Sequence, residues 1–198
     1  MSTTHEPPAT LRTQFGRAQD QFSALVAAIG PNQWHAPTPC TEWDVRALVN
    51  HLVGEQVWAV PLVAGKTLEE VGTQFDGDLL GEDPGAKWRE SAAESRAAFE
   101  QPDALSGSVH TSMGPQPTVD YLGDMTADLI AHRWDLGKAI GQPQTFTDEE
   151  LTQLEQAQER FAPMQKELEA AGIFAAPKPT TPQSDRRTRV LAAFGRSD

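Results

Sequence analysis

The stretch VDYLGDMTADLIAHRWDLGKAIG, residues 119–141, has the residue spacing of one long helix. Large apolar side chains return every three or four positions along it, and His132 falls in the same series. Gly141 closes the pattern, as glycine commonly does after the last helical turn. Because a helix with one apolar face is stable when that face packs on other elements, the stretch favours a helical bundle.

Helical spacing extends over most of the remaining chain. It predicts further helices at about 11–29, 41–64, 84–101, 148–171 and 185–194. The predicted fold class is therefore all-α, with at most a short β-hairpin.

Local signals mark where some of these helices begin and bend. Thr41 followed by Asp44 resembles a capping box, so the second helix is expected to begin near Thr41. Asp83-Pro84 supplies an N-cap and a proline at the first helical position. Pro163 is expected to kink its helix. Residues 103–118 form either a short hairpin or a bare loop.

The same patterns predict a division of the chain into three parts. Residues 1–8 are expected to be a disordered tail, because Pro7 and Pro8 interrupt a polar start. Residues 9–174 are expected to form the helical bundle. Residues 175–198 are expected to form an extended linker and a short C-terminal helix that packs on the bundle.

The composition excludes several classes of partner. The chain has 198 residues, 38% of them hydrophobic, which suffices for a folded core. Nucleic-acid backbones and anionic membranes require a basic face, so at a formal charge of -12 neither is expected as a partner. The single cysteine, Cys40, rules out an intramolecular disulfide. Since no targeting or membrane-spanning segment is visible, we expect a soluble, cytoplasmic protein.

Two segments carry side chains suited to metal binding. His51 and Glu55 lie one helical turn apart in VNHLVGEQ, and Asp128 and His132 lie one turn apart in DLIAHRWD. Asp128 and His132 can reach one metal from one helix, and His51 can join them from a neighbouring helix. Two imidazoles and one carboxylate, with open positions for water or substrate, are typical of catalytic zinc and of several non-haem iron sites.

These residues also have ordinary structural interpretations. A His and an Asp four residues apart often form a local ion pair, and a histidine among Leu and Val is often hydrogen-bonded within a core. Glu55 is a fourth ligand, an outer acceptor, a general base or a solvated side chain. Asp135 either orients an imidazole or faces water. Trp43 and Trp134 are interpreted as core rather than as substrate platforms. Cys40 lies near a predicted helix N-terminus, where the pKa of a thiol falls, but its segment contains no obvious partner histidine, so a catalytic role is not expected.

The segments PTPCTEWDVRALVNHLVGE, residues 37–55, and DLIAHRWDLGKAIG, residues 128–141, resemble actinobacterial metal-binding proteins of the DinB-like superfamily. Within it they are similar to the group related to the N-terminal domain of mycothiol-dependent maleylpyruvate isomerase. The tail DRRTRVLAAFGRSD, residues 185–198, resembles uncharacterised members of that group. The resemblance implies a DinB-like four-helix bundle with a long crossover, extra C-terminal helices and often a homodimer.

The resemblance also implies the metal ligands His51, Asp128 and His132. The group's E-x-x-x-H pattern reads D-x-x-x-H here, so Asp128 is one methylene shorter than the usual glutamate. Three explanations remain open: the helices approach more closely, a water intervenes, or Glu55 takes part. The isomerase's separate C-terminal domain has no counterpart of comparable size, so the isomerase reaction itself is not carried over.

The activity that the resemblance implies is thiol chemistry at a metal. The leading hypothesis is a metal-dependent S-transferase or isomerase that acts on a small electrophile with a low-molecular-weight thiol. Zinc is the expected metal, with nickel, iron or manganese as alternatives. Mycothiol is the expected cosubstrate. Glu55 is the best candidate for the general base. The alternatives are a non-catalytic metal-binding module and a metal-dependent hydrolase, so whether the chain is an enzyme stays open.

Overall fold

The computed structural model describes residues 8–197 of the chain. The predicted disordered tail, residues 1–8, lies outside the described residues apart from Pro8. The chain divides into two compact units, residues 1–143 and 144–198, whereas the expected division placed residues 9–174 together. Packing of residues 175–198 on the bundle stays a prediction. Across residues 8–197, every helix is too short or too polar to cross a bilayer.

The first unit is a four-helix bundle. It consists of α1 (Pro8–Ala27), α2 (Val45–Val63), α4 (Pro84–Glu100) and α5 (Thr118–Ala139), with the short α3 (Leu68–Val71) between α2 and α4. Helices α1 and α2 each pack against α4 and α5. Helices α1 and α2 therefore occupy opposite corners of the bundle, and the connection between them, residues 28–44, crosses the bundle.

The bundle core is built from the periodic apolar residues that predicted the helices. Its largest fully buried side chains include Phe15, Phe22, Leu48, Leu52, Trp88, Phe99, Leu122, Leu129 and Trp134. The core interpretation of Trp134 is therefore confirmed. The predicted helices at 11–29, 84–101 and 119–140 are confirmed too, with ends within a few residues of those expected. Helix α3, which begins at a capping box between Thr67 and Glu70, was not among the predicted helices.

Helix α2 begins later than predicted. Its N-cap is Asp44, whose Oδ1 atom accepts a hydrogen bond from the backbone N–H of Ala47 at 2.8 Å. Thr41 lies in the preceding turn, where the Trp43 N–H donates to the carbonyl of Cys40 at 2.8 Å. Asp44 also pairs with Pro37 in an extended bridge, which keeps the backbone out of helical geometry until Val45. Asp44 is thus the cap itself and not the third residue of a capping box.

Residues 103–118 contain a hairpin, the first of the two alternatives. Strand β1 (Ser108–Thr111) pairs antiparallel with β2 (Gly114–Pro117), and Gly114 adopts a positive φ of 105° at the turn. Val109 is fully buried, which anchors the hairpin in the first unit.

The second unit contains α6 (Asp148–Phe161), α7 (Gln165–Ala170) and α8 (Arg186–Ala193). Pro163 does more than kink a continuous helix, because the chain breaks into a 3₁₀ turn at Ala162–Met164 between α6 and α7. Proline lacks the N–H that would continue the ladder, and its ring clashes with the preceding turn. Arg186 joins α8 to α6 by donating to both carboxylate oxygens of Glu155, at 3.0 and 2.7 Å.

Candidate metal centre

The predicted ligands come from two helices that pack against each other, α2 and α5. His51 lies between Leu48 and Leu52 on α2, and both leucines are fully buried. His132 is itself buried, three residues after the buried Leu129 on α5. The apolar positions of the two helices therefore set the rotation that turns His51 and His132 toward each other.

Asp128 lies between the two imidazoles. Its Oδ2 atom is 3.1 Å from His51 Nε2, and its Oδ1 atom is 3.4 Å from His132 Nε2. The two imidazole centroids are 5.2 Å apart. The shorter aspartate side chain thus contacts both histidines directly, because the helices approach closely enough at this level of the bundle.

These three side chains suit a divalent metal. Among residues 8–197, one donor atom from each of His51, Asp128 and His132 lies within 4.8 Å of the other two. In a tetrahedral zinc site, bonds of about 2.0–2.2 Å place the donor atoms about 3.3–3.6 Å apart. The observed separations, 3.1 Å from Asp128 Oδ2 to His51 Nε2 and 3.4 Å from Asp128 Oδ1 to His132 Nε2, run to the two different carboxylate oxygens and are of that order. Two nitrogens and one oxygen also match the donor set of catalytic zinc.

Glu55 lies beside this group, one turn after His51. Its Oε1 atom is 3.9 Å from His51 Nε2, and its buried Oε2 atom has no hydrogen-bond partner among residues 8–197. The pKa of Glu55 is raised to about 8, and burial is the largest cause. The negative charges of Asp128 and Asp124 also raise this pKa, whereas the positive charge of His51 lowers it. A carboxyl group with a pKa near neutrality is suited to proton transfer.

His51 is held by charge as well as by packing. Burial by itself lowers the pKa of His51, but the hydrogen bond and charge of Asp128, with the charge of Glu55, raise it to about 9. In the metal-free chain the imidazolium of His51 and the carboxylate of Asp128 therefore form an ion pair.

Behind His132 lies a second polar group that involves Asp135 and Cys40. Asp135 is fully buried, and its Oδ2 atom is 2.9 Å from His132 Nδ1. Cys40 Sγ is 3.2 Å from the same oxygen and 3.8 Å from His132 Nδ1. Of the two alternatives left open for Asp135, contact with an imidazole is therefore the one observed. Sequence reasoning did not find the contact of Cys40, since its partners follow more than 90 residues later.

The turn before α2 shapes one side of the centre. Thr38 Oγ1 donates to the carbonyls of Cys40 and Trp43 at 3.0 and 2.8 Å, and it accepts from the Cys40 N–H at 3.1 Å. Trp43 is half-buried, and its indole packs on the imidazoles of His51 and His132. Trp43 thus lies at the candidate site and not in the bundle core where it was expected.

Comparisons with known proteins agree with this architecture. Residues 15–137 match the family described as mycothiol maleylpyruvate isomerase N-terminal domain. Two Mycobacterium tuberculosis proteins, "Uncharacterized protein MT0763" of strain CDC 1551 / Oshkosh and "Uncharacterized protein Rv0738" of strain ATCC 25618 / H37Rv, are each 35% identical over 139 residues. Each alignment covers 68% of this chain and 69% of the relative.

A solved structure shares the fold. A crystal structure of a mycothiol-dependent maleylpyruvate isomerase mutant superposes with a TM-score of 0.61 at 18% identity, covering 78% of this chain and 70% of that one. The fold is therefore the all-α DinB-like bundle that the motifs implied. Because residues 15–137 match the family model and two mycobacterial relatives are 35% identical, the chain belongs to the family of the mycothiol maleylpyruvate isomerase N-terminal domain.

Proposed function

We propose that the chain holds one divalent metal between His51, Asp128 and His132 and acts with a low-molecular-weight thiol on a small electrophile, as an S-transferase or isomerase. The single observation that supports the site most strongly is the position of Asp128, whose two oxygens face the two histidines at 3.1 and 3.4 Å. Zinc is the proposed metal, since two imidazoles and a carboxylate are a common donor set for it.

The number of protein donors supports a reactive site over a closed structural one. Structural zinc sites use four protein ligands, whereas catalytic sites use three and leave a position for an exogenous group. When bound, such a cation lowers the pKa of a thiol or water that it coordinates, so a nucleophile exists at neutral pH. The side chains of Asp128 and His51 are about a third exposed, which gives a small molecule access from solvent.

Glu55 is the proposed proton acceptor. Its Oε2 atom is buried and has no hydrogen-bond partner within the described residues, and its Oε1 atom lies 3.9 Å from His51 Nε2. Without metal, a pKa near 8 keeps Glu55 largely protonated at neutral pH, but a cation bound beside it would favour the carboxylate. In that form, an oxygen in this position can take the proton of an incoming thiol. Glu55 would then act at Oε2 and stay outside the ligand set.

The family supports mycothiol as the thiol. The matched family and the structural relative both carry mycothiol in their descriptions. Maleylpyruvate isomerisation is not proposed for this chain, because the structural likeness at 18% identity concerns the fold. A homodimer in the cytoplasm is proposed on the same resemblance, and light scattering of the purified protein tests the dimer.

The proposal is tested by metal analysis followed by cobalt substitution and thiol titration. The purified protein should contain about one equivalent of metal, and the cobalt form should gain an intense near-ultraviolet band when mycothiol or a simpler thiol is added. A Cys40→Ser variant should give the same band, since Cys40 is not proposed as the sulfur donor. A spectrum that responds to hydroxide and to no thiol would favour a hydrolase, and one that responds to neither would favour a non-catalytic metal-binding module.

A further inference from the structure

We infer that Asp135 is a positioning residue for His132, and that Cys40 fixes Asp135 in that role. By accepting a hydrogen bond from Nδ1–H of His132, Asp135 favours the tautomer that carries its proton on Nδ1. The lone pair on Nε2 is then free to face Asp128 and the proposed metal position. This inference rests on the proposed function for its purpose, but the position of the imidazole proton can be measured without any metal.

The contact between Asp135 and His132 has the geometry of a strong hydrogen bond. The distance from Oδ2 to Nδ1 is 2.9 Å, which is the commonest value for N–H···O bonds. The carboxylate is fully buried, and the His132 side chain is 7% exposed, so water competes little for either atom. A neutral imidazole carries one N–H, and whichever nitrogen holds it cannot bind a metal.

Two carboxylates compete for that proton. Asp128 faces Nε2 of His132 at 3.4 Å, whereas Asp135 faces Nδ1 at 2.9 Å. The Asp128 side chain is 28% exposed and also contacts His51 at 3.1 Å, so solvent and a second partner weaken its hold. The shorter, drier contact with Asp135 therefore decides the tautomer. Outer carboxylates commonly fix metal-binding histidines in this way.

Cys40 supports Asp135 from the turn before α2. Its thiol lies 3.2 Å from Asp135 Oδ2, the oxygen that faces His132, and donates an S–H hydrogen bond to it. The bonds between Thr38 and the backbone of Cys40 and Trp43 keep the turn in place. A buried carboxylate is costly unless donors surround it, so a second donor on the same oxygen helps to keep Asp135 beside the imidazole.

Cys40, His132 and Asp135 allow one other interpretation, which is a second metal site. One donor atom from each of Cys40, His132 and Asp135 lies within 4.8 Å of the other two. We favour hydrogen bonds, because 2.9 and 3.2 Å are ordinary donor–acceptor distances. A metal at Nδ1 together with one at Nε2 would also require the imidazole to lose both ring protons.

The test measures the tautomer of His132 directly by nitrogen-15 NMR of the metal-free protein in alkaline buffer. The wild-type signal should be that of the Nδ1–H tautomer, and Asp135→Asn should shift it toward a mixture. Zinc affinity, measured by competition with a chelating dye, should fall about 10- to 100-fold in Asp135→Asn. Cys40→Ala should cause a smaller loss, and Cys40→Ser, which keeps a donor, should restore most of it. Asp120→Asn, also on α5, is the matched control and should change neither reading.

The outcomes separate this inference from the proposed function. An Nε2–H tautomer in the wild type would overturn the inference even if Asp135→Asn failed to fold. Two equivalents of zinc in the wild type, one of them lost in Cys40→Ser, would replace it with the second metal site. Failure of the wild type to bind metal, with an Nδ1–H tautomer intact, would defeat the proposed function and leave the positioning of His132 by Asp135 standing.

Discussion

The indole of Trp43 lies across both imidazoles of the candidate centre, with ring centroids 4.6 Å from His51 and 5.5 Å from His132. The interplanar angles are 35° and 39°, so the indole is tilted against each of the two rings. Thr38 holds the Trp43 carbonyl through a 2.8 Å hydrogen bond, so the ring is carried by an ordered turn. Trp43 therefore forms one wall of the site.

From this contact we predict that Trp43 emission will report metal binding at the candidate centre. Titration with Co²⁺ should quench tryptophan emission, because an ion with a partly filled d shell accepts excitation energy efficiently over so short a distance. The chain has five tryptophans, so the Trp43→Phe variant should lose the share of this quenching that comes from Trp43 while it keeps about one equivalent of metal. The His51→Ala variant is the control and should show no saturable quenching. Undiminished quenching in Trp43→Phe would contradict the assignment.

Removal of either histidine ligand should remove the metal. His51→Ala and His132→Ala should each be purified with little or no metal, because two remaining donors rarely hold a divalent ion against water. His110→Ala, an exposed histidine on β1, is the matched control and should keep the wild-type content. Elemental analysis checks the result, and stoichiometric metal in both ligand variants would refute the site.

A separate variant tests whether Asp128 is a direct metal ligand. Asp128→Ala should lose metal as completely as the histidine variants, since Asp128 lies within hydrogen-bond distance of both imidazoles. Glu55→Gln should keep the metal and lose thiol-dependent activity, because Glu55 is proposed to accept a proton at Oε2. If Asp128→Ala retains metal and Glu55→Gln loses it, Glu55 is the third ligand.

Chelation should lower thermal stability without unfolding the chain. A ligand that binds only the folded state stabilises it by about 2.7 kcal/mol at 100 times its dissociation constant. For a chain of this size that corresponds to a rise of several degrees in Tm. The bundle has its own apolar core from Phe15 to Trp134, so helical circular dichroism should persist after chelation. Loss of the helical signal on chelation at room temperature would show instead that the metal is required for folding.

Asp44 should make stability depend on pH in acid. Burial raises the pKa of Asp44, but the hydrogen bond from the Ala47 N–H and the contacts with His35 and Arg46 lower it by more, so it lies below its ordinary value of 3.8. A carboxyl group with a lower pKa in the folded state contributes its full stabilisation above pH 3.8, and loses it as pH falls through the folded pKa.

Asp44→Ala should therefore lower the free energy of unfolding by about 0.5–2 kcal/mol at neutral pH, the usual cost of a lost N-cap. The difference from wild type should shrink as the pH falls below 3.8. Asp44→Asn is the matched control, since an amide oxygen still caps α2 but does not titrate. Urea unfolding at a series of pH values measures all three chains, and a constant difference between wild type and Asp44→Ala down to strong acid would count against this role.

Local signals predicted much of the bundle because they depend on neighbours in the chain. Asp83-Pro84 marked the start of α4 and Gly141 the end of α5, since caps and breakers act within one turn. The same locality explains the error at Thr41: two acceptors compete for the start of α2, and the extended pairing of Asp44 with Pro37 decides between them. Pro163 marked the right place, but whether a helix bends or breaks there depends on what packs around it.

The sequence by itself determined which donors share a helix turn, because the period of the helix places His51 near Glu55 and Asp128 near His132. Only the tertiary structure decided that α2 and α5 are neighbours, that Asp128 reaches both imidazoles, and that Cys40 meets Asp135 across 95 residues of chain. The physical reason is that such contacts depend on how the buried faces of whole helices pack and on the path of the connection before α2. Spacing along one helix carries no information about either.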